Sequence, residues 1–341
     1  MTVTAPTDAL HPTVPGSHLL EVDDLSVEFR TEYGTVRAVN ELSYHLDKGE
    51  TLAILGESGS GKSVSAQAIM GIIDTPPGFI TSGEIRYQGR DILQLPKDEQ
   101  RAMRGAEIAI VFQDALSALN PVFTVGAQIA EMFRAHRGTS KKEAMVHAGE
   151  LMDKVRIPSA KDRLKDYPHQ FSGGMRQRVM MAMALALDPK ILIADEPTTA
   201  LDVTVQAQIM DLLLELQADT GMGLILITHD LGVVGEVADR VAVMYAGRIV
   251  ETGGINEVFG SPGHPYTVGL MNSVPRVDQR GQRLSPIVGA PPNLADIPSG
   301  CSFHPRCPRA ELRCREERPL LREVVLGRRS ACHFAEEVLD V

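Results

Sequence analysis

At 341 residues, with 43% hydrophobic and 23% charged side chains, the chain has the composition of an ordinary globular protein and the length for one large core plus an appendage. A net charge of -10 without a concentrated basic block argues against duplex DNA or an anionic lipid surface as the main partner. No apolar run approaches the roughly 20 residues that span a bilayer; the longest is Val179 to Leu187.

Met1 to Ser17, rich in Thr, Pro and Ala and without a basic start or apolar core, reads as a disordered tail and not a signal peptide, so a cytoplasmic protein is expected. From Leu19 to Phe29 apolar and polar residues alternate, the period of a half-buried strand. Tyr33-Gly34 makes a turn, and Val36 to Leu46 reads as another strand pair ending at Asp47-Lys48-Gly49. A small antiparallel sheet is expected here. Tyr33 is either a face for a nucleotide base or a plain surface tyrosine.

Thr51 to Leu55 is a short apolar run, hence a buried strand, and Val64, Ala66, Ala68, Ile69 and Met70 begin a helix. Between them stands Gly56-Glu57-Ser58-Gly59-Ser60-Gly61-Lys62-Ser63, which fits the phosphate-binding pattern G-x-x-x-x-G-K-[ST] in its proper setting. A strand, a glycine-rich turn and a helix start place backbone N–H groups and a helix dipole around an anion. Lys62 would reach the outer phosphates and the Ser63 hydroxyl would sit on Mg²⁺. A nucleoside triphosphate is the expected ligand.

After a break at Pro76-Pro77-Gly78, Glu84 to Tyr87 reads as a short strand. Ile108 to Phe112 reads as a second buried strand ending at Gln113, whose carboxamide is placed to face a ligand in the crevice. Ala127 to Lys154 has helical periodicity, with breakers at Pro158 and Pro168. Phe171 to Arg178 opens a long helix in which Ser172, Gly173 and Gly174 make either a second anion cradle or a plain N-cap. Ile191 to Ala194 is a third buried strand, ending in Asp195-Glu196. Alternation would turn these acids apart, one toward Mg²⁺ and one toward an attacking water. Ala200-Leu201-Asp202 starts another helix, Leu224 to Thr228 is a fourth buried strand ending at His229-Asp230, and Val241 to Tyr245 and Arg248 to Glu251 are short strands.

Beyond Gly260 the chain becomes rich in proline and carries all four cysteines: Cys301, Cys307, Cys314 and Cys332. Clustered cysteines in a cytosolic chain favour a metal over disulfides. The spacing lacks the C-x-x-C knuckles of a zinc ribbon, so an iron–sulfur cluster, zinc and free thiols all stay open. The expected division is a tail over 1–18, a nucleotide-binding domain over 19–260 and a C-terminal extension over 261–341.

Taken in order, these motifs resemble the ATP-binding subunit of ABC transporters over about Leu19 to Val258. Gly56 to Ser63 is similar to the Walker A loop, Gln113 to the Q-loop, Phe171 to Gln177 to the signature motif, Ile191 to Glu196 to Walker B, Asp202 to the D-loop and His229 to the switch histidine. Tyr33 stands at the position of the family's base-stacking aromatic. The usual L-S-G-G-Q appears here as F-S-G-G-M. Ser117 to Pro121, His264 to Thr267 and Gly300 to Pro308 are similar to the dipeptide/oligopeptide (and nickel) importer ATPases, which carry such a C-terminal extension. The resemblance implies an α/β P-loop fold of ABC type: a mostly parallel sheet, a small antiparallel β-subdomain and a helical signature subdomain.

It further implies that Gly56 to Val64 bind ATP, with Lys62 on the phosphates. Ser63, Gln113 and Asp195 would hold Mg²⁺, Glu196 would be the general base and His229 would contact the γ-phosphate. Ser172, Gly173, Gly174 and Asp202 would act on a partner's nucleotide. The implied partners are a second, related ATPase, two membrane permease subunits and an extracellular or periplasmic peptide-binding protein, with this chain peripheral on the cytoplasmic side. Alternatives are an importer of nickel or another solute, a soluble ABC ATPase of DNA repair or ribosomes, and a non-hydrolysing subunit. Nucleic-acid relatives usually have paired ATPase domains or basic insertions, which are missing here. A non-hydrolysing subunit would typically lack Glu196 or His229, and both are present.

Overall fold

A computed structural model describes residues 18–114, 118–199, 201–273 and 286–339. Residues 1–17 of the proposed N-terminal tail, Ser117 and Ala200 lie outside the described residues, while His18, the last residue of that tail, is described and its Nδ1 lies 2.6 Å from Asp47 Oδ1. Strands, in chain order, are β1 (Leu20–Thr31), β2 (Gly34–Leu46), β3 (Thr51–Leu55), β4 (Gly78–Tyr87), β5 (Arg90–Asp91), β6 (Ile108–Val111), β7 (Ile191–Asp195), β8 (Gly223–Thr228), β9 (Arg240–Tyr245), β10 (Arg248–Gly254), β11 (Arg322–Val325) and β12 (Arg328–Ser330). They form a four-stranded sheet ordered β2-β1-β4-β5 and an eight-stranded sheet ordered β11-β12-β10-β9-β3-β8-β7-β6.

The centre of the large sheet is parallel, with β3 between β8 and β9, and β7 between β6 and β8. Every residue of β3, β7 and β8 is buried, which is why these strands read as unbroken apolar runs: helices and the β-subdomain cover both faces. Parallel strands joined by right-handed crossovers all end on the same edge, so the loops after β3, β6, β7 and β8 share one crevice.

The small sheet is antiparallel, as expected, but Val36 to Leu46 is not a strand pair. It lies within the single long β2, paired with β1 from Thr31–Gly34 to Leu20–Leu46 through irregular steps. Those irregularities break the alternation that would have marked one strand. The segment Ala127 to Lys154 is likewise two helices, Val125–Arg137 and Lys141–Lys154. Gly138 closes the first at φ 64° and the Ser140 hydroxyl caps the second through Glu143 N–H. A left-handed glycine followed by a serine cap outweighs the continuous periodicity. These two helices pack with Gly173–Leu185 in the largest apolar core.

The segment beyond residue 260 is built onto the main sheet, since β12 pairs antiparallel with β10. A buried ion pair fastens it: Arg328 Nη2 lies 2.9 Å from Glu251 Oε1, and the Gly263 N–H donates to the same oxygen at 2.6 Å. His264 caps the helix Pro265–Asn272 by accepting from the Tyr266 N–H at 3.0 Å. Complete burial drives its pKa down to about 3, so it stays the neutral acceptor that this bond requires.

Candidate active site

β3 ends at Leu55 and the chain turns through Gly56 to Gly61 into the helix Lys62–Met70. Gly61 offers no capping side chain, so the first N–H groups of the helix remain for an anionic ligand. Gly61 sits at φ 102°, and a Cβ there would lie 2.2 Å from the Ala38 carbonyl oxygen of β2; only glycine permits that approach. Ser60 closes the loop internally, its N–H donating to the Glu57 carbonyl at 3.2 Å and its carbonyl accepting from Gly247 at 2.9 Å. Lys62 is buried, and its ammonium donates to the carbonyls of Gly56 (2.8 Å) and Glu57 (3.0 Å). Burial pulls its pKa below the lysine range, against the opposing pull of Glu196, Asp195 and Glu57. Val64, one residue past Ser63, is half-buried against the core beneath the β-subdomain.

The Ser63 hydroxyl donates to Asp195 Oδ1 at 3.0 Å, joining the start of the helix to the end of β7. Burial raises the Asp195 carboxyl, and the Ser63 bond works against that rise. A hydroxyl and a carboxylate brought together are oxygen donors of the kind Mg²⁺ accepts, so the residues fit that ion.

Glu196 is separated from Asp195 by backbone geometry. It lies just past β7 at φ 46°, a left-handed conformation uncommon outside glycine. Its own N–H donates to the Ile227 carbonyl at 2.8 Å. This turn sends its carboxylate to a different set of neighbours: Gln113 Nε2 (2.9 Å), Thr199 Oγ1 (2.9 Å) and His229 Nδ1 (3.3 Å). The ends of β6, β7 and β8 therefore meet on one carboxylate. Thr199 is a member of the site that sequence reasoning missed; its only signal was the hydroxyl three residues after Glu196. The His229 side chain is 63% exposed and the Tyr33 ring 97% exposed at the β1–β2 turn, both on surfaces open to a ligand.

Ser172 caps the helix Gly173–Leu185, its Oγ accepting from Met175 N–H at 3.4 Å. Asp202 caps the helix Val203–Thr220 through Val205 N–H at 2.9 Å. Among the described residues neither bonds to the phosphate loop of its own chain. The segments they cap pack against each other: Gly173 faces the Leu201 side chain, and a Cβ on Gly174 would lie 2.5 Å from Val205 Cγ1. Phe171 is 2% exposed and Met175 packs against the same core, which accounts for apolar residues at both ends of the Ser-Gly-Gly.

The four cysteines line one pocket with Phe303, Phe334 and Val338. Cys301 N–H donates to the Cys314 carbonyl at 2.8 Å, and the turn His304–Arg306 connects Cys301 to Cys307. Burial pushes the Cys301 and Cys332 thiols up to about 11, and the neighbouring sulfurs add to the rise. No three of these sulfurs lie within 4.8 Å of one another, whereas thiolates on one tetrahedral zinc would be about 3.8 Å apart.

Residues 39–199 match the family model described as ABC transporter, and residues 250–314 match that of the oligopeptide/dipeptide transporter C-terminal region. The chain is 50% identical over 316 residues to the dipeptide transport ATP-binding protein DppD of Escherichia coli (strain K12), covering 93% of this chain and 96% of that one. It is 52% identical over 325 residues to the oligopeptide transport ATP-binding protein OppD of Salmonella typhimurium, covering 95% and 96%. Among solved structures it is similar to the dimeric ATP-binding cassette MJ0796 in a post-hydrolysis state bound to ADP and Pi. That likeness has a TM-score of 0.62 at 27% identity, over 69% of this chain and 98% of that one.

Proposed function

The chain belongs to the ATP-binding subunits of ABC transporters, and we propose that it hydrolyses ATP to drive import of di- or oligopeptides across the cytoplasmic membrane. The observation that carries this reading is the convergence of Gln113, Thr199 and His229 on Glu196, beside the Ser63–Asp195 pair and the Lys62 loop. In the proposed roles, Lys62 and the N–H groups of residues 59–63 hold the phosphates, and Tyr33 stacks on the base. Ser63, Asp195 and Gln113 hold Mg²⁺, whose charge would offset that developing on the phosphates. Glu196 takes the proton of the attacking water, and His229 faces the γ-phosphate. Catalysis is then positioning plus charge stabilisation.

Ser172, Gly173, Gly174 and Asp202, at the starts of two packed helices and, among the described residues, without hydrogen bonds to their own phosphate loop, are proposed to complete the site of a second, related ATPase. The likeness to a cassette solved as a dimer supports that arrangement. Two membrane permease subunits and an extracellular or periplasmic peptide-binding protein complete the proposed importer, with this chain peripheral on the cytoplasmic face. No helix among the described residues is long and apolar enough to cross a membrane. Peptide is favoured over nickel because the C-terminal region and both relatives above are those of peptide transporters. The ATP-binding domain is assigned to 19–260 and the extension to 261–341.

For the cysteines we propose a [4Fe–4S] cluster ahead of zinc. What supports a metal group is that all four thiols of the chain line one pocket and that their sequence spacing lacks the paired knuckles of a zinc ribbon.

The deciding experiment is uptake of labelled dipeptide by cells carrying or lacking this subunit, together with the proteins that co-purify with it from mild detergent. Two permease subunits and subunit-dependent uptake are expected. Recovery with ribosomes or repair proteins, and unchanged uptake, would overturn the reading.

A further inference from the structure

The C-terminal segment reaches the ATP site of its own chain. The Arg306 guanidinium makes a two-pronged pair with the Glu57 carboxylate, Nη1 to Oε2 at 2.6 Å and Nη2 to Oε1 at 3.0 Å. Its side chain is only 5% exposed. The Glu57 N–H donates to Tyr266 Oη at 2.9 Å. Tyr245 braces both, lying 5.8 Å beneath the Arg306 guanidinium and 4.6 Å from the Tyr266 ring. The Glu57 carbonyl accepts from Lys62 Nζ and from Ser60 N–H. Glu57 is thus held from outside by residues 209 and 249 positions away, while its carbonyl holds the loop's lysine.

We propose that Arg306 and Tyr266 are positioning residues of the nucleotide site, fixing the entry of the phosphate loop and neutralising the carboxylate that stands there. The inference rests on the ATPase reading above and extends it. Two physical arguments carry it. A loop that binds phosphates through backbone N–H groups binds best when those groups are already aimed, and a bidentate arginine is the side chain that fixes a carboxylate in direction as well as distance. Glu57 also brings a negative charge to a site for a polyanion, so its counter-charge has to be local and shielded from water, as Arg306 is. The turn that aims Arg306 lies between Cys301 and Cys307, with Arg306 N–H bonded to the Phe303 carbonyl at 3.0 Å. The order of the cysteine lobe is thereby coupled to the order of the loop.

The test uses the purified full chain with Mg-ATP as the probe. It compares Arg306→Met with the double variant Arg306→Met/Glu57→Gln. Arg306→Met is expected to weaken ATP binding about tenfold, the scale of one uncompensated charge near a phosphate, and to raise amide exchange over residues 56–61. In the assembled complex the loss should fall on KM for ATP more than on kcat. Removing the orphaned carboxylate in the double variant should restore most of the affinity, which a merely structural attachment of the tail would not do. Unchanged affinity and exchange in Arg306→Met would overturn the proposal, as would a double variant no better than the single one. Binding is read on the chain alone, so a complex that fails to import peptide would overturn the transport reading without touching this one.

Discussion

Asp195 and Glu196 are adjacent in sequence and of the same chemical type, yet their surroundings separate their tasks. Asp195 is buried against Ser63 with a raised pKa. Glu196 is turned by its left-handed backbone toward Gln113, Thr199 and His229. A base must be ionised and reach a water, and Glu196 has the donors that hold a carboxylate in one direction. Glu196→Gln is expected to keep ATP binding while lowering hydrolysis by roughly 10²–10⁴-fold, the usual cost of removing a general base. Turnover of the assembled complex near the wild-type rate would remove Glu196 from that role. The loop, both acids, Gln113 and His229 were legible because each ends or follows an apolar strand, and parallel topology brings strand ends to one edge. Arg306 was not legible. Its partner is 249 residues away, and nothing near it in sequence marks an arginine as belonging to the phosphate loop.

The same contrast holds between elements. β3, β7 and β8 announced themselves by burial alone, but β12 reads Arg328-Arg329-Ser330, a polar triplet with no strand pattern. It joins the sheet because β10 presents an open edge and Glu251 presents a buried charge to Arg328. Pairing of this kind is decided over long range, where local propensity is silent. The ion pair is deeply buried, with side chains 7% and 0% exposed, so removing one partner strands the other. Arg328→Met should destabilise the protein by about 3–5 kcal/mol, and Arg328→Met/Glu251→Leu by clearly less. Denaturant melts of both variants measure this. Equal losses would mean that the charge pair is not what holds β12 in place.

At the scale of the whole molecule, two features look beyond a single folded chain. Ser172 and Asp202 cap two helices that pack against each other, and among the described residues neither hydrogen-bonds the phosphate loop of its own chain, so Ser172→Arg should leave ATP binding intact and impair hydrolysis in the complex. An isolated chain that turns over at high dilution as fast as the complex would contradict a shared site. The other feature is the cysteine lobe. Its four sulfurs are the only ones of cysteine in the chain and lie around one pocket. Burial raises the thiols at Cys301, Cys307 and Cys332 above their ordinary range. Thiols raised in this way stay protonated unless a bound metal ionises them, and the proposed metal group would tie several chain segments to one point. With the proposed cluster in place, protein prepared without oxygen is expected to be brown, with about four irons per chain for a cubane cluster. Cys314→Ser should bleach it and expose the segment from Pro291 to Phe334 to protease. Through the turn carrying Arg306, the loss should also reach the phosphate loop as faster amide exchange at residues 56–61. Colourless protein with one zinc per chain would replace the cluster by zinc, and metal-free protein with four titratable thiols would rule out both.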